Sequence, residues 1–179
     1  MTKLLFTPGP LSTSRKVKEA MLKDIGSRDL EFITAVADIR SQLLSLAHVA
    51  KPDYECILMQ GSGTFGIESV ISSSTGLEDI LLVIANGAYG ERIVKMAEVH
   101  GIRHVVLRFP ENESIDISAL ESFLSDNGSA THVACIHSET TTGLFNDIEH
   151  IGKICRRHNK VFIVDAMSSF GGVDIAMKD

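Results

Sequence analysis

Beyond residue 79 the chain alternates short, nearly unbroken apolar runs with longer stretches in which apolar residues recur every three or four positions. The runs are residues 80–85 (Ile-Leu-Leu-Val-Ile-Ala), 105–107 (Val-Val-Leu), 132–136 and 161–164. Each reads as a strand covered on both faces. Helical spacing occupies 89–100, 117–124 and 148–158, and residues 64–74 form one more helix ahead of the first run. Such alternation predicts a parallel sheet flanked by helices, an α/β fold in an α/β/α sandwich. The amino-terminal third is patterned differently. Phe32, Val36, Ile39, Leu43 and Leu46 mark a helix over 30–49, and Ser14 is placed to cap an earlier one that runs to about residue 25. Ile57-Leu58-Met59 reads as a short buried strand, and residues 1–13 as an extended arm.

Composition narrows the function classes. Of 179 residues, 44% are hydrophobic and 22% charged, as in a soluble globular domain. The net charge of −6 opposes a nucleic-acid surface, which needs a basic stripe. Cys56, Cys135 and Cys155 are far apart in apolar segments, which points to buried thiols in a reducing compartment, not to a disulfide framework or a zinc site. No stretch approaches membrane-spanning length, and the opening residues lack a signal peptide's apolar run, so the cytoplasm is the expected location.

In open parallel sheets ligands bind beyond the carboxyl ends of the strands, so the residues that follow each strand are the candidates for chemistry. Gln60-Gly61-Ser62-Gly63-Thr64-Phe65-Gly66 leads into a helix, where small residues and hydroxyls suit an anion cradle. The glycines also fit a dinucleotide spacing, but Ala85-Asn86-Gly87 stands where a ribose-binding acid is required. Ile67 and Glu68 exclude a Walker loop, and a plain glycine turn into a helix stays open. Tyr89, in Asn86-Gly87-Ala88-Tyr89-Gly90, offers a flat wall for a planar ring, or serves simply as a core tyrosine. His137-Ser138-Glu139-Thr140-Thr141-Thr142-Gly143 gathers hydroxyls and a carboxylate, or caps the next helix. No second ligand at metal spacing accompanies His137. Asp165 ends an apolar strand, where a carboxylate is costly unless partnered; a pyridinium nitrogen would partner it, as would a turn N–H. Together these residues describe a pocket for a flat, phosphorylated pyridine ring, pyridoxal 5′-phosphate (PLP).

The same segments, with Thr7-Pro8-Gly9-Pro10-Leu11 and the run from Ile163 to Gly172, resemble the 2-aminoethylphosphonate–pyruvate branch of the class V aminotransferases, enzymes of PLP fold type I. The resemblance implies that residues 14–179 are the amino-terminal part of the PLP-binding large domain. It implies that Ser62, Gly63 and Thr64 hold the cofactor phosphate, Tyr89 stacks on the ring, Thr140 bonds the ring hydroxyl and Asp165 pairs with the ring nitrogen. Pro8 and Gly9 would line the substrate entrance. The implied reaction moves the amino group of 2-aminoethylphosphonate to pyruvate, giving phosphonoacetaldehyde and alanine, in a homodimer. The family's Schiff-base lysine lies one strand beyond the aspartate, and no lysine of this chain matches it, so the chain alone is expected not to turn over. The family also pairs the Ile57–Met59 strand with a later strand, so that segment is expected to stand detached from the other four. The rival readings are a sister class V aminotransferase acting on serine or alanine with glyoxylate or pyruvate, and a non-catalytic PLP-binding or dimerisation module.

Overall fold

The structure is a computed structural model that describes residues 4–7, 11–126 and 128–178. Pro8 and Gly9 lie outside the described residues. The chain forms two compact units, one of Met1–Leu58 with Asp174–Lys178 and one of Met59–Val173.

The first unit is helical. Ser14 caps α1 (Arg15–Ala20), its side chain accepting from the Val17 N–H at 3.3 Å. This helix buries nothing and stops well short of residue 25. Val17, Met21 and Leu22 stay exposed, and a short helix with no packing surface has little to propagate it. α2 (Leu30–Leu46) ends earlier than its apolar pattern because His48 turns left-handed at φ 56°, and the Val49 N–H closes back on the Leu44 carbonyl at 3.0 Å. Only Leu44 of α2 is buried, in a small cluster with Ala47 and Val49. Ile57-Leu58-Met59 is not a strand: the three residues pair with nothing in β fashion and stand 77, 45 and 48% exposed. Among the described residues no strand pairs with this run.

The second unit is the expected sandwich. α3 (Gly63–Ser74), β1 (Leu81–Ala85), α4 (Ala88–Val99), β2 (His104–Arg108), α5 (Ile117–Asp126) and β3 (His132–Ile136) come first. The hairpin of β4 (Ser138–Glu139) and β5 (Leu144–Phe145), then α6 (Ile148–Arg157) and β6 (Val161–Asp165), complete it. β2, β1, β3 and β6 lie side by side in that order, all parallel. Alternation along β1 separates the two faces. Leu81 and Val83 pack with Ile67 and Ile71 of α3 and Ile93 and Ala97 of α4. Leu82 and Ile84 pack with Leu120 and Leu124 of α5 and Ile151 and Ile154 of α6. Each fully buried side chain of this kind contributes about 1.5–3 kcal/mol.

From β1 the chain moves outward to β2, then returns across β1 to β3 and β6, and the helices change face as the direction reverses. The crevice where the order reverses lies between the carboxyl ends of β1 and β3, the place where such sheets bind ligands. Register brings Ile136 level with Asp165, so β3 and β6 end together. Among the described residues no helix is long and apolar enough to cross a membrane.

Candidate functional site

The turn into α3 is shaped by what its glycines permit. Gly61 sits at φ 158°, and a β-carbon there would come 2.5 Å from the Phe65 ring. At Gly63 a β-carbon would meet Met167 at 2.8 Å, so the turn lies directly on the segment that follows β6. Ser62 is the N-cap of α3 and its Oγ accepts from the Phe65 N–H at 3.3 Å. That bond uses an oxygen lone pair and leaves the hydroxyl proton to donate elsewhere. The N–H groups of Gly63 and Thr64, in the first turn of the helix, meet no acceptor among the described residues.

Beyond β1, Gly87 is fully extended, so its role is spatial: a β-carbon would lie 2.6 Å from the Glu139 carboxyl carbon. Glu139 is completely buried and accepts from the N–H groups of Gly90 at 2.9 Å and Tyr89 at 3.3 Å. It thus satisfies the free donors at the start of α4 and favours the positive end of that helix. Glu139 fixes the Tyr89 backbone while its own neighbour, Thr140, is half-buried with a hydroxyl bonded to no described residue. The hairpin turn behind Thr140 is closed by Gly143, left-handed at φ 74°, whose N–H reaches the Glu139 carbonyl at 2.7 Å.

Asp165 is half-buried at the end of β6. Its Oδ1 accepts from the Met167 N–H at 3.0 Å, while no described residue bonds Oδ2. The Asp165 carbonyl takes the His137 N–H at 2.9 Å, and the Ser168 hydroxyl donates to the Ser138 carbonyl at 2.8 Å, tying the two loops together. His137 is structural. Its Nδ1 shares a 2.9 Å hydrogen bond with Ser169 Oγ, which also lies 3.2 Å from the Ala166 carbonyl. Burial holds this imidazole below its ordinary pKa, in the neutral form. Among the described residues no group of three or more His, Cys, Asp or Glu could hold a metal ion.

Two residues that the sequence reading did not single out for the site join it here. Glu139 had been read only as one carboxylate among hydroxyls. Arg92 had not been singled out at all; its Nη1 donates to Thr64 Oγ1 at 3.2 Å and its guanidinium carbon lies 4.5 Å from the centre of the Tyr89 ring. The available signal was spacing, since Tyr89 and Arg92 are three apart on one helix. With these two, the contacts close into a circuit. The Ser62–Thr64 turn touches Met167, which bonds Asp165; Asp165 bonds His137, two residues before Glu139. Glu139 bonds Tyr89, and Arg92 links Tyr89 back to Thr64. The sequence-predicted residues of the second unit are therefore linked to one another contact by contact. The groups they leave unused are anion donors at Gly63 and Thr64, a hydroxyl at Thr140 and a carboxylate oxygen at Asp165.

Comparison with known proteins agrees with this architecture. Residues 13–179 match the family described as aminotransferase class-V. The chain is 49% identical over 175 residues to the 2-aminoethylphosphonate–pyruvate transaminase of Lysinibacillus sphaericus, covering 98% of this chain and 48% of that protein. It is 45% identical over 176 residues to a bifunctional phosphonoacetaldehyde hydrolase/aminoethylphosphonate transaminase of Clostridioides difficile, covering 98% of this chain and 28% of that one. Among solved structures, an alanine–glyoxylate aminotransferase from Nostoc superimposes with a TM-score of 0.89 at 28% identity, covering 99% of this chain and 47% of that one. The chain spans about half the length of the transaminases it matches. By this match, which runs from the end of the arm through the last strand and takes in every loop of the circuit, the chain belongs to the class V aminotransferase family.

Proposed function

We propose that this chain is the cofactor-holding part of a PLP-dependent aminotransferase that moves the amino group of 2-aminoethylphosphonate to pyruvate. The circuit of contacts supports this reading, because it links a glycine-serine turn with free N–H donors, an aromatic, a free hydroxyl and a carboxylate to one another. The unused groups complement the cofactor one by one. Ser62, Gly63 and Thr64 hold its phosphate through neutral donors at the start of α3. Tyr89 lies against the ring, its backbone fixed by Glu139. Thr140 donates to the ring hydroxyl oxygen. Asp165 accepts a hydrogen bond from the protonated ring nitrogen on its free oxygen and so keeps that nitrogen protonated. When bound, the cofactor supplies an electron sink for the carbon that bears the substrate amine.

The choice of 2-aminoethylphosphonate rests on the 49% identity to a transaminase of that name. Pro8 and Gly9 are assigned to the substrate entrance, and residues 14–179 to the large domain that follows the arm. A homodimer in the cytoplasm completes the proposal.

The test is a spectrophotometric PLP titration of the chain. Loss of the charged hydrogen bond in Asp165→Asn is expected to weaken binding about 10- to 100-fold. Equal affinities would remove Asp165 from the site and leave only a phosphate-binding module. For the substrate, the protein of which this chain forms part is assayed for alanine production from pyruvate. A preference for serine or alanine as donor, or for glyoxylate as acceptor, would move it to a sister activity.

A further inference from the structure

Arg92 has no part in the roles above, yet it touches two of their residues. Its Nη1 donates to Thr64 Oγ1 at 3.2 Å and its guanidinium lies over the Tyr89 ring at 4.5 Å. Among the described residues no carboxylate stands within ion-pair distance of it, whereas Arg108, elsewhere in the same unit, is paired with Glu91 at 2.7 Å. Arg92 is therefore a cation without an anion at the mouth of a cradle made of neutral donors.

The charge balance of that cradle is incomplete. A phosphate monoester carries about −1.5 to −2 near pH 7. The start of a helix offers about half a positive charge, and the hydroxyls of Ser62 and Thr64 offer none. The bond to Thr64 also has a direction. Arginine only donates, so it consumes a lone pair of Thr64 Oγ1, and the threonine's own proton must be given to something else. With Arg92 in place, the Thr64 proton is left for an acceptor other than the guanidinium.

We propose that Arg92 is the cationic arm of the phosphate cradle: it turns the Thr64 hydroxyl outward as a donor and supplies the positive charge that the Ser62–Thr64 turn lacks. The inference rests on the PLP reading for the nature of the ring, but on the geometry of the turn for the anion.

The experiment compares three probes on the full 179-residue chain: PLP, pyridoxal (the same ring without phosphate) and inorganic phosphate. Binding is followed by absorbance for the rings and by amide chemical shifts of Gly63 and Thr64 for phosphate. Arg92→Met is expected to weaken PLP and inorganic phosphate about 10- to 100-fold, the loss of one charge-assisted contact, and to leave pyridoxal unchanged. Arg92→Lys keeps the charge and is expected to restore most of the phosphate affinity. In a Thr64→Val background the same arginine substitution is expected to cost less, because part of its effect runs through that hydroxyl. Arg92 is exposed, so these variants should keep the circular dichroism of the parent. Equal weakening of PLP and pyridoxal would overturn the proposal in favour of a role in holding the Tyr89 ring. Tighter PLP binding by Arg92→Met would overturn it too, showing that the guanidinium occupies the ring's place. If the parent chain takes up inorganic phosphate but not PLP, the cofactor reading fails and the phosphate comparison alone decides Arg92. A parent chain that binds neither sinks both.

Discussion

Residues 80–85 and residues 57–59 are both short apolar runs, and they reach opposite environments. Leu81, Leu82 and Val83 are 0% exposed, flanked by β2 and β3 and covered by helices on each face. Ile57 is 77% exposed, and among the described residues no strand pairs with it. The same contrast separates the helices. α4 buries five of its residues, whereas α2, the longest helix described, buries one and leaves Leu30 at 78% and Ile33 at 52%. An apolar run is thus a requirement for a partner, and it becomes structure only where the chain supplies one.

The widest expected difference between the two regions is in thiol chemistry. Burial raises the Cys155 thiol to about 12 and pushes Cys135 well above its ordinary range, whereas Cys56 of the first unit is only half-buried. A disulfide reagent on the native chain is expected to modify Cys56 well before the other two, since the thiolate is the nucleophile and burial withholds it at Cys135 and Cys155. Mass mapping that finds Cys135 or Cys155 labelled early would erase the contrast.

Next is the cost of truncation. Leu82→Ala should lower unfolding stability by about 3–4 kcal/mol. Leu30→Ala, taken from an exposed position, should change it by less than about 0.5 kcal/mol. Urea titrations of the two variants check this, and equal losses would mean that the α2 surface is covered in solution.

A smaller effect belongs to the link between Thr140 and Tyr89. Removing the buried carboxylate in Glu139→Ala leaves the N–H groups of Tyr89 and Gly90 unsatisfied, an expected loss of about 2–3 kcal/mol. Glu139→Gln should recover part of it, and Gly87→Ala should cost about 1–3 kcal/mol by forcing a β-carbon against that carboxyl. Denaturation together with tyrosine fluorescence would show whether Tyr89 moves; unchanged stability in Glu139→Ala would break the circuit at its central contact.

The smallest is a pH effect. Burial lowers the His137 pKa in the folded chain, so as pH falls the unfolded chain takes up the proton first. Stability is therefore fully present above about 6.5, the ordinary imidazole value, and is lost as pH drops through it toward the folded value. His137→Gln is expected to flatten that part of the stability profile, and an identical slope would exclude His137 as its source.

How much of this was legible in the residues differs from place to place. β1 could be read because both its faces are apolar, and the sandwich followed from the spacing of such runs. The caps at Ser14 and Ser62 were legible or half-legible, since a cap is made within four residues. The turn at His48 was not, because a left-handed histidine carries no compositional mark as a glycine would. Of the site, the types at the strand ends were visible: the glycine-serine turn, the tyrosine, the hydroxyl run and the aspartate. The parts of Glu139 and Arg92 were not, for their partners lie 50 and 28 positions away along the chain.

By itself the sequence determined which segments must be buried, which turns are small enough to admit a ligand, and which polar groups end apolar strands. Those are local properties, set by side-chain type and by the 2- and 3.6-residue periods. Tertiary structure alone decided that the loops after β3 and β6 are tied together, that Glu139 joins the hydroxyl loop to the tyrosine, and that Arg92 bonds Thr64 with no carboxylate in ion-pair distance among the described residues. It also gave Ile57–Met59 no pairing strand among the described residues. Pairing and proximity between distant segments depend on what the whole chain brings together, and no local pattern encodes that.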